Sequence, residues 1–416
     1  MQTVKLDERL YRTNAENGVT VLSEVLPGVR SVAVGIWVKS ASVHEEAAKM
    51  GVSHLLEHMV FKGTERRSAR DIALELEVRG GALDAFTSRE YTSYQARVLD
   101  EDLPRALDVL TDVVRNPALR NKDLELERKV VLEEISTVED TPDDLVFELH
   151  AQTMWPTHPY GFSILGTRDT VGGLDADDLR ALHRRAYHPR HVIIAAAGSL
   201  NHELLVKLAA KCGWFTYDPG PQPPAVAPVP AAGRTTRRVQ RDTAQAHIVL
   251  GTDTFAYRDA RREPLMLLNT VLGGGMSSRL FQRVREELGL AYAVSTYQSF
   301  YLETGVTGVY VGTHPSTADQ AVEVILGELN TLASAGLSGS TLAEAKQQLK
   351  GQITLGLESP TARMYRLATV ELYGEPYRTI DQLLADVDGI PGDEVAAVAE
   401  EFFDPARQTV VWLGPN

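Results

Sequence analysis

The sequence has little cysteine, few basic residues relative to acidic ones, and no long hydrophobic run. Its single cysteine, Cys212, excludes an intrachain disulfide, so nothing in the sequence indicates an oxidising compartment. The 42 Lys and Arg residues are outnumbered by 56 Asp and Glu residues, which gives a net charge of −14. This balance disfavours a nucleic-acid-binding protein, because phosphate groups require a basic surface.

Membrane-spanning and secretory segments are also missing from the sequence. The longest apolar stretches, SVAVGIWV at 31–38 and VIIAAAG at 192–198, fall far short of the roughly 20 residues that span a bilayer. The first residues, MQTVKLDERLYRT, lack the apolar core of a signal peptide. With 44% hydrophobic and 24% charged residues, the composition is that of a globular protein. We therefore expect a cytoplasmic protein without nucleic-acid or membrane partners.

A proline-rich segment divides the chain nearly in half. Residues 219–230 read PGPQPPAVAPVP and contain six of the chain's 20 prolines. Such a composition is typical of a semi-rigid, extended connector. We predict an N-terminal domain at 1–215, a linker at 216–236 and a C-terminal domain at 237–416. The alternative is a long surface loop within a single domain.

The two halves resemble each other in the order of their predicted elements. In each half a helical segment is followed by a pair of strands and then by an amphipathic helix, DLPRALDVLTDVV at 102–114 and TADQAVEVILGEL at 317–329. This order suggests an internal duplication of an α+β unit. Two such halves would face each other across a cleft, which is a common place for a substrate site.

The strongest chemical signal is the sequence His54-Leu55-Leu56-Glu57-His58. Helical apolar spacing around it predicts a helix, on which residues i and i+4 lie one above the other. His54 and His58 then direct their imidazoles at one metal ion, with Glu57 close enough to reach a water on that ion. This is the reversed zincin pattern H-x-x-E-H. The alternative is a histidine pair on a helix without metal.

Zinc requires a third protein ligand, and the segment 121–139 supplies two acidic candidates. It is strongly helical, and Glu127 and Glu134 fall within its apolar arc, about 20° apart. The apolar residues that define this arc are Leu124, Val130, Val131, Ile135 and Val138. Carboxylates on a core-facing arc must be paired or bind a cation. A structural ion pair with Lys or Arg is the alternative for both glutamates.

These motifs resemble the pitrilysin-type inverzincin peptidases, and among them the catalytic β subunit of mitochondrial processing peptidase and its single-chain bacterial relatives. HLLEHMVFKGT at 54–64 and LERKVVLEEI at 126–135 carry the resemblance. It implies Glu134 as the third zinc ligand and Glu127 as a residue that orients a histidine or tunes the metal. It also implies two homologous halves, each a mainly antiparallel sheet with helices on one face, that form a clamshell around a cleft.

The resemblance extends to the second half of the chain at SSRLFQRVREELGLAYAVS, residues 277–295. There it implies that Arg285 and Tyr292 hold the substrate carbonyl and stabilise the oxyanion. Considered without the resemblance, the two residues could equally form a surface ion pair and a packed aromatic side chain. No H-x-x-E-H sequence occurs in the second half, as the resemblance leads us to expect.

One departure from the family pattern concerns the strand that would bind substrate. The family usually has N-A-x-T, whereas this chain has Asp84-Ala85-Phe86-Thr87. Asparagine both donates and accepts hydrogen bonds, whereas an ionised aspartate only accepts. The resemblance still implies that an extended peptide adds itself as a strand beside these four residues.

Together these observations predict a zinc endopeptidase with one Zn²⁺ per chain, held by His54, His58 and Glu134. Glu57 is the general base for a zinc-bound water. The expected substrates are unstructured, possibly basic peptides, and the bacterial relatives suggest a homodimer. Two alternatives remain: a non-catalytic member of the same fold, and a subunit that cleaves only together with a different partner chain.

Overall fold

The structure is a computed structural model that describes residues 1–216, 218–232 and 234–415. The chain forms two compact units. Unit 1 comprises Met1–Ile135, Ser163–Val226 and Gly356–Tyr377, and unit 2 comprises Ser136–Phe162, Ala227–Leu355 and Arg378–Asn416. Among the described residues, no helix combines the length and the apolar character that crossing a membrane would require.

Strands and helices alternate irregularly along both units. The strands are β1 Gln2–Asp7, β2 Leu10–Asn14, β3 Thr20–Val25, β4 Ser31–Val38, β5 Ala82–Thr87, β6 Thr92–Leu99, β7 Val192–Gly198, β8 Thr236–Gln240, β9 Ala246–Thr254, β10 Ala291–Phe300, β11 Gly305–Thr313 and β12 Thr409–Gly414. The helices are α1 Val52–Val60, α2 Ala69–Glu77, α3 Leu103–Arg115, α4 Asn121–Glu139, α5 Pro142–Met154, α6 Arg168–Gly173, α7 Ala176–Ala186, α8 His202–Lys211, α9 Arg262–Gly273, α10 Ala318–Ala335, α11 Gly339–Gly356, α12 Pro360–Tyr373, α13 Ile380–Gly389 and α14 Gly392–Phe402.

Unit 1 contains a seven-stranded sheet in the order β1-β2-β3-β7-β4-β6-β5. All neighbours are antiparallel except the pair β3 and β7, which is parallel. The strand β5 lies at one edge, paired only with β6 among the described strands. One side of its backbone is therefore available for pairing with another extended chain.

Helices cover both faces of the unit 1 sheet. The helices α1 and α3 pack on one face around a core that includes Leu55 and Leu110. On the other face α12 places Met364 in a second cluster with Trp37 and Ile193. Burial on two faces explains why β7 is a continuous apolar run, VIIAAAG, rather than an alternating pattern.

Unit 2 contains a five-stranded sheet in the order β10-β11-β9-β12-β8. It is antiparallel except for the parallel pair β12 and β8. The helices α9, α10 and α14 pack on one face around Leu268, Ile325 and Val398. On the other face α5 contributes Val146 to a cluster with Val249 and other strand residues.

The α+β class with mainly antiparallel sheets is confirmed, with two differences from the prediction. Each sheet carries one helix on its second face, whereas helices were expected on one face only. Relative to the predicted division at 216–236, α5 lies in unit 2 and α12 lies in unit 1, because their apolar sides complete those sheets. Two linker residues, 217 and 233, lie outside the described residues.

The start of α1 depends on two glycines that approach each other closely. Gly51 precedes the helix with φ +91°, and a Cβ there would lie 2.5 Å from the carbonyl oxygen of Leu165. Gly166 has φ +80°, and its own Cβ would lie 2.4 Å from the carbonyl oxygen of Met50. The loop around 163–166 therefore fixes where the helix begins, and only glycine fits at both positions.

Replacing Gly51 with alanine is expected to destabilise unit 1 by more than the cost of placing alanine in a left-handed backbone conformation. The matched control is Gly80→Ala, since Gly80 has φ +77° but no atom within 4 Å of the position that a Cβ would take. The control should lose about 1–2 kcal/mol from the left-handed conformation. Gly51→Ala should lose at least about 2 kcal/mol more through the backbone clash. Urea unfolding of both variants measures the difference, and equal losses would contradict this explanation.

Candidate metal centre

The helix α1 carries His54, Glu57 and His58 in the predicted arrangement. Its buried side consists of Ser53 and apolar residues at helical spacing, which confirms the helix predicted from the sequence. The apolar residues are Val52, Leu55, Leu56, Met59 and Val60. The rings of His54 and His58 lie one turn apart, with 4.6 Å between their centroids. Both imidazoles therefore face the same point beside the helix.

A buried carboxylate holds the first turn of this helix. The side chain of Glu45 accepts hydrogen bonds from the backbone N–H groups of Gly51 at 2.8 Å and Ser53 at 2.7 Å. These are helix-start donors that no intrahelical carbonyl can satisfy. Burial raises the pKa of Glu45 to about 7. Glu45 was not among the predicted site residues, because no sequence spacing links it to the donors that it satisfies.

The helix α4 places Glu134 beside both histidines. Its Oε2 lies 3.7 Å from Nε2 of His54, and its Oε1 lies 3.6 Å from Nε2 of His58. One ligand atom from each of the three residues lies within 4.8 Å of the other two. Within the described part of the chain, no other group of three or more His, Cys, Asp or Glu side chains meets this criterion.

The polar atoms of this cluster are arranged to bind a cation rather than to form hydrogen bonds with one another. Oε2 of Glu134, the oxygen nearest Nε2 of His54, is buried without a hydrogen-bond partner among the described residues. Burial, aided by the neighbouring His58, lowers the pKa of His54 to about 3, which favours the neutral imidazole that a metal requires. Zinc bonds of about 2.0–2.2 Å meeting at a tetrahedral angle separate ligand atoms by roughly 3.3–3.6 Å. The observed separations are close to that range.

Glu127 lies behind His58, on the side away from Glu134. Its Oε2 accepts a hydrogen bond from Nδ1–H of His58 at 3.2 Å, and its Oε1 lies 2.6 Å from Nζ of Lys62. Glu127 thus combines the two roles that the sequence left open, since it contacts a histidine and also forms an ion pair. Lys62 was not singled out in the sequence.

The predicted bounds of α4 at 121–139 agree with the structure, but one residue of its apolar arc does not. Leu124, Val131 and Ile135 are buried, whereas Val130 is 44% exposed. The prediction that Val130 belongs to the core is therefore wrong. The neighbouring Leu126 is also exposed, so this side of α4 faces solvent.

Glu57 is oriented by a residue of the edge strand. The hydroxyl of Thr87, the last residue of β5, donates a hydrogen bond of 2.5 Å to Oε2 of Glu57. Burial raises the pKa of Glu57 above its usual value. Thr87 was predicted only as part of the substrate-binding strand, and this contact adds a direct link to the acid on α1.

The side chains of β5 alternate between the two faces of the sheet. Leu83 and Ala85 pack against the core that contains α1. Asp84 accepts a hydrogen bond from Nε2 of Gln95 at 3.2 Å, and the same amide contacts the hydroxyl of Tyr365 on α12. The Asp84 carboxylate is thus held by Gln95, while the residue also lines the pocket beside Glu57 and its charge contributes to raising the Glu57 pKa.

A pocket of about 360 Å³ opens beside Glu57 and His58. Residues of α1, α2 and β5 form most of its walls, and six of the twelve described lining residues are apolar. The apolar members are Phe61, Ala69, Ile72, Ala73, Leu83 and Ala85, and the other members are Glu57, His58, Lys62, Glu77, Asp84 and Glu127. A pocket of this size accepts one large side chain. Phe86 is 42% exposed on the opposite face of β5, with its ring edge against Tyr91.

Arg285 and Tyr292 belong to unit 2. Arg285 lies on a π-helix, Phe281–Glu287, a rare conformation that occurs often at functional sites. Its guanidinium lies 4.6 Å from the ring of Phe281 and 4.6 Å from the ring of Tyr292. Tyr292 is 77% exposed, so it is not a packed core aromatic. The contribution of both residues to the metal centre stays a prediction.

Comparison with known proteins gives matches along nearly the whole chain. The family model Insulinase (Peptidase family M16) matches residues 20–168, and the model Peptidase M16 inactive domain matches residues 173–349. A protein of Streptomyces coelicolor named as an uncharacterized zinc protease is 41% identical, covering 97% of this chain and 89% of its own length. A Bacillus subtilis protein of the same description is 39% identical over 95% of this chain and 96% of its own.

Solved structures show the same fold at low sequence identity. A Pseudomonas fluorescens structure described as a peptidase M16 inactive domain has a TM-score of 0.91 and 19% identity, covering 98% of both chains. A protease from Helicobacter pylori has a TM-score of 0.90 and 22% identity, covering 98% of this chain and 99% of its own. Because these identities are low, they bear on the fold alone.

Glu134→Gln is expected to abolish tight zinc binding, since the amide removes the charge of a ligand oxygen. The zinc affinity should fall by more than the roughly 10–100-fold that is lost when a residue hydrogen-bonded to a metal ligand is removed. Glu133→Gln is the matched control, because Glu133 is the preceding residue on α4 and is exposed. Elemental analysis after dialysis against a weak chelator measures the bound metal. Equal zinc retention in both variants would rule Glu134 out as a ligand.

The pH dependence of stability should change when Glu45 is replaced by glutamine. Burial raises the Glu45 pKa from 4.5 to about 7 in the folded protein. Between these two values the folded state keeps a proton that the unfolded chain has released, so this contribution to stability falls as the pH rises. Glutamine cannot titrate. The free energy of unfolding of wild type relative to Glu45→Gln should therefore fall by at most about 3 kcal/mol from pH 4.5 to 7, and parallel curves would contradict the assignment.

Proposed function

Because the chain belongs to the M16 (insulinase) peptidase family, we propose that it is a zinc endopeptidase that cleaves unstructured peptides. The observation that carries the proposal is the convergence of His54, His58 and Glu134, where a buried oxygen of Glu134 has no hydrogen-bond partner among the described residues. Buried polar atoms of this kind are costly unless a bonding partner satisfies them. A divalent cation is the partner that this set of ligands fits.

One Zn²⁺ per chain would be held by His54, His58 and Glu134. Two imidazoles and one carboxylate are a ligand set typical of catalytic zinc, which leaves one position open. When bound, zinc supplies Lewis-acid polarisation of a carbonyl and lowers the pKa of water to roughly 7. The neutral state of His54, favoured by burial, supports its role as a ligand.

Glu57 is the general base in this proposal. It lies one helical turn from His54 and lines the pocket beside the metal ligands. Its raised pKa suits a group that takes a proton from the attacking water and returns it to the leaving amine. The hydroxyl of Thr87 fixes the carboxylate through Oε2, so the side chain keeps one orientation during the reaction.

The substrate would pair with the edge strand β5, beside Asp84, Ala85, Phe86 and Thr87. An extended peptide forms main-chain hydrogen bonds with such an edge, and its side chains alternate between the two faces. One side chain next to the scissile bond then enters the pocket of about 360 Å³ beside Glu57. A folded protein segment cannot present a free strand, which favours unstructured substrates. The net charge of −14 favours basic peptides.

Arg285 and Tyr292, which belong to unit 2, are the remaining residues that we propose to act on the substrate. The cation–π contacts with Phe281 and Tyr292 hold the Arg285 guanidinium in one orientation. The exposed ring of Tyr292 can approach a peptide. We assign Arg285 to the substrate backbone and Tyr292 to the oxyanion, which needs a hydrogen-bond donor as charge develops. The proposed setting is the cytoplasm, and the resemblance to the bacterial relatives implies a homodimer.

Glu57→Gln is expected to reduce cleavage of a labelled, unstructured, basic peptide of about 20 residues by roughly 10²–10⁴-fold. The amide keeps the shape of the side chain but cannot take a proton. Zinc content should stay at one ion per chain, which separates loss of the base from loss of the metal. Glu125→Gln is the matched control, because this glutamate lies on α4 with its side chain 68% exposed.

Three results would contradict parts of this proposal. Equal cleavage by wild type and Glu57→Gln would place the activity in another site or in a contaminant. Absence of cleavage by zinc-loaded wild type would favour the non-catalytic or partner-dependent alternatives. Loss of zinc in Glu57→Gln would show that this residue acts on the metal centre rather than on the proton.

A further inference from the structure

We propose that Lys62 is a positioning residue of the metal centre, which acts on His58 through Glu127. The inference rests on the proposed function only in taking His58 to be a zinc ligand. Lys62 lies two residues after the end of α1, so the segment that continues directly from the helix of the two histidines carries the cation that orients one of them. Glu127 is the intermediary because each of its carboxylate oxygens contacts one of these two residues.

Two short contacts connect the three side chains. Nζ of Lys62 lies 2.6 Å from Oε1 of Glu127, and Oε2 of Glu127 lies 3.2 Å from Nδ1 of His58. When Nδ1–H donates to Glu127, Nε2 keeps its lone pair and points to the side where Glu134 lies at 3.6 Å. An oriented acceptor behind a histidine fixes the tautomer and the ring angle that the metal requires.

Burial explains why Glu127 needs Lys62. The side chain of Glu127 is only 8% exposed, and a buried carboxylate without a compensating cation is costly. The nearest basic residue along the helix is Arg128, which donates instead to the carbonyls of Val171, Gly172 and Leu174. Lys62, with 35% exposure, reaches in from the pocket side and neutralises Oε1. The ion pair thereby leaves Oε2 directed at His58.

A purely structural ion pair is the competing explanation, and the chain contains a matched example. Lys49 lies just before α1, and its Nζ lies 2.6 Å from Oδ1 of Asp178, the same distance as in the Lys62 pair. Asp178 lies on α7 and contacts none of His54, His58 and Glu134 in the described hydrogen bonds and ion pairs. If Lys62 acts only through stability, Lys49→Met and Lys62→Met should affect zinc affinity alike.

The test measures the dissociation constant for zinc by competition with a chromogenic chelator. Lys62→Met keeps the approximate length of the side chain without its charge. It should weaken zinc binding about 10-fold, the lower end of the range for residues that support a metal ligand without touching the metal. Lys62→Arg should restore most of the affinity, because it returns a cation to Oε1. Lys49→Met should match wild type. The absorption spectrum of the cobalt-loaded protein should change in Lys62→Met only.

A double-variant cycle separates this route from any direct effect of Lys62. In the background of Glu127→Gln the intermediary is lost, so adding Lys62→Met should change zinc affinity little further. If the two losses are additive, Lys62 does not act through Glu127 and the inference is wrong. Wild-type affinity in Lys62→Met would overturn it equally. Should Lys62→Met fail to fold, Lys62→Gln tests the same loss of charge.

The failure of this inference is distinct from the failure of the proposed function. If wild type binds no zinc at all, the proposed metal centre is wrong and the role of Lys62 falls with it. If wild type binds zinc and cleaves peptide while Lys62→Met binds zinc equally well, only the inference about Lys62 fails.

Discussion

Burial of carboxylates next to two imidazoles is the constraint on which the site depends. The helices α1 and α4 remove Glu127 and much of Glu134 from water, together with His54 and His58. A buried carboxylate costs several kcal/mol unless a cation compensates it. Lys62 supplies that cation to Glu127, whereas Glu134 has an oxygen with no partner among the described residues. A metal ion between Glu134 and the histidines would compensate the charge of the Glu134 carboxylate.

Three residues of the surrounding fold, Gly51, Glu45 and Thr87, fix the positions of the side chains in this site. Gly51 and the carboxylate of Glu45 determine where α1 begins, and therefore which way its imidazoles point. The strand β5 ends at Thr87, whose hydroxyl holds Glu57. Because β5 is also the edge of its sheet, one strand offers a backbone edge to an extended peptide and orients the proposed base. Peptide binding and the orientation of the proposed base would thus both depend on β5.

Sequence periodicity predicted the helices α1 and α4, because their apolar spacing is strong and their polar residues interrupt it at helical intervals. It failed for Val130, since the helical wheel cannot tell which part of an apolar arc a neighbouring element covers. It also could not assign α5 and α12 to a sheet, because an apolar helix face does not specify its partner. The contacts of Thr87 and Lys62 join residues 30 and 65 positions from their partners, and only the tertiary fold creates them.

X-ray absorption at the zinc edge tests the central claim most directly, because it reports the atoms around the metal in the intact chain. We predict a shell of nitrogen and oxygen atoms at about 2.0–2.2 Å with the multiple scattering of two imidazoles. Replacement of His58 with alanine should remove one imidazole from that signal. A sulfur neighbour at about 2.3 Å, which only Cys212 or a methionine could supply, or a shell without imidazole, would contradict a centre built from His54, His58 and Glu134.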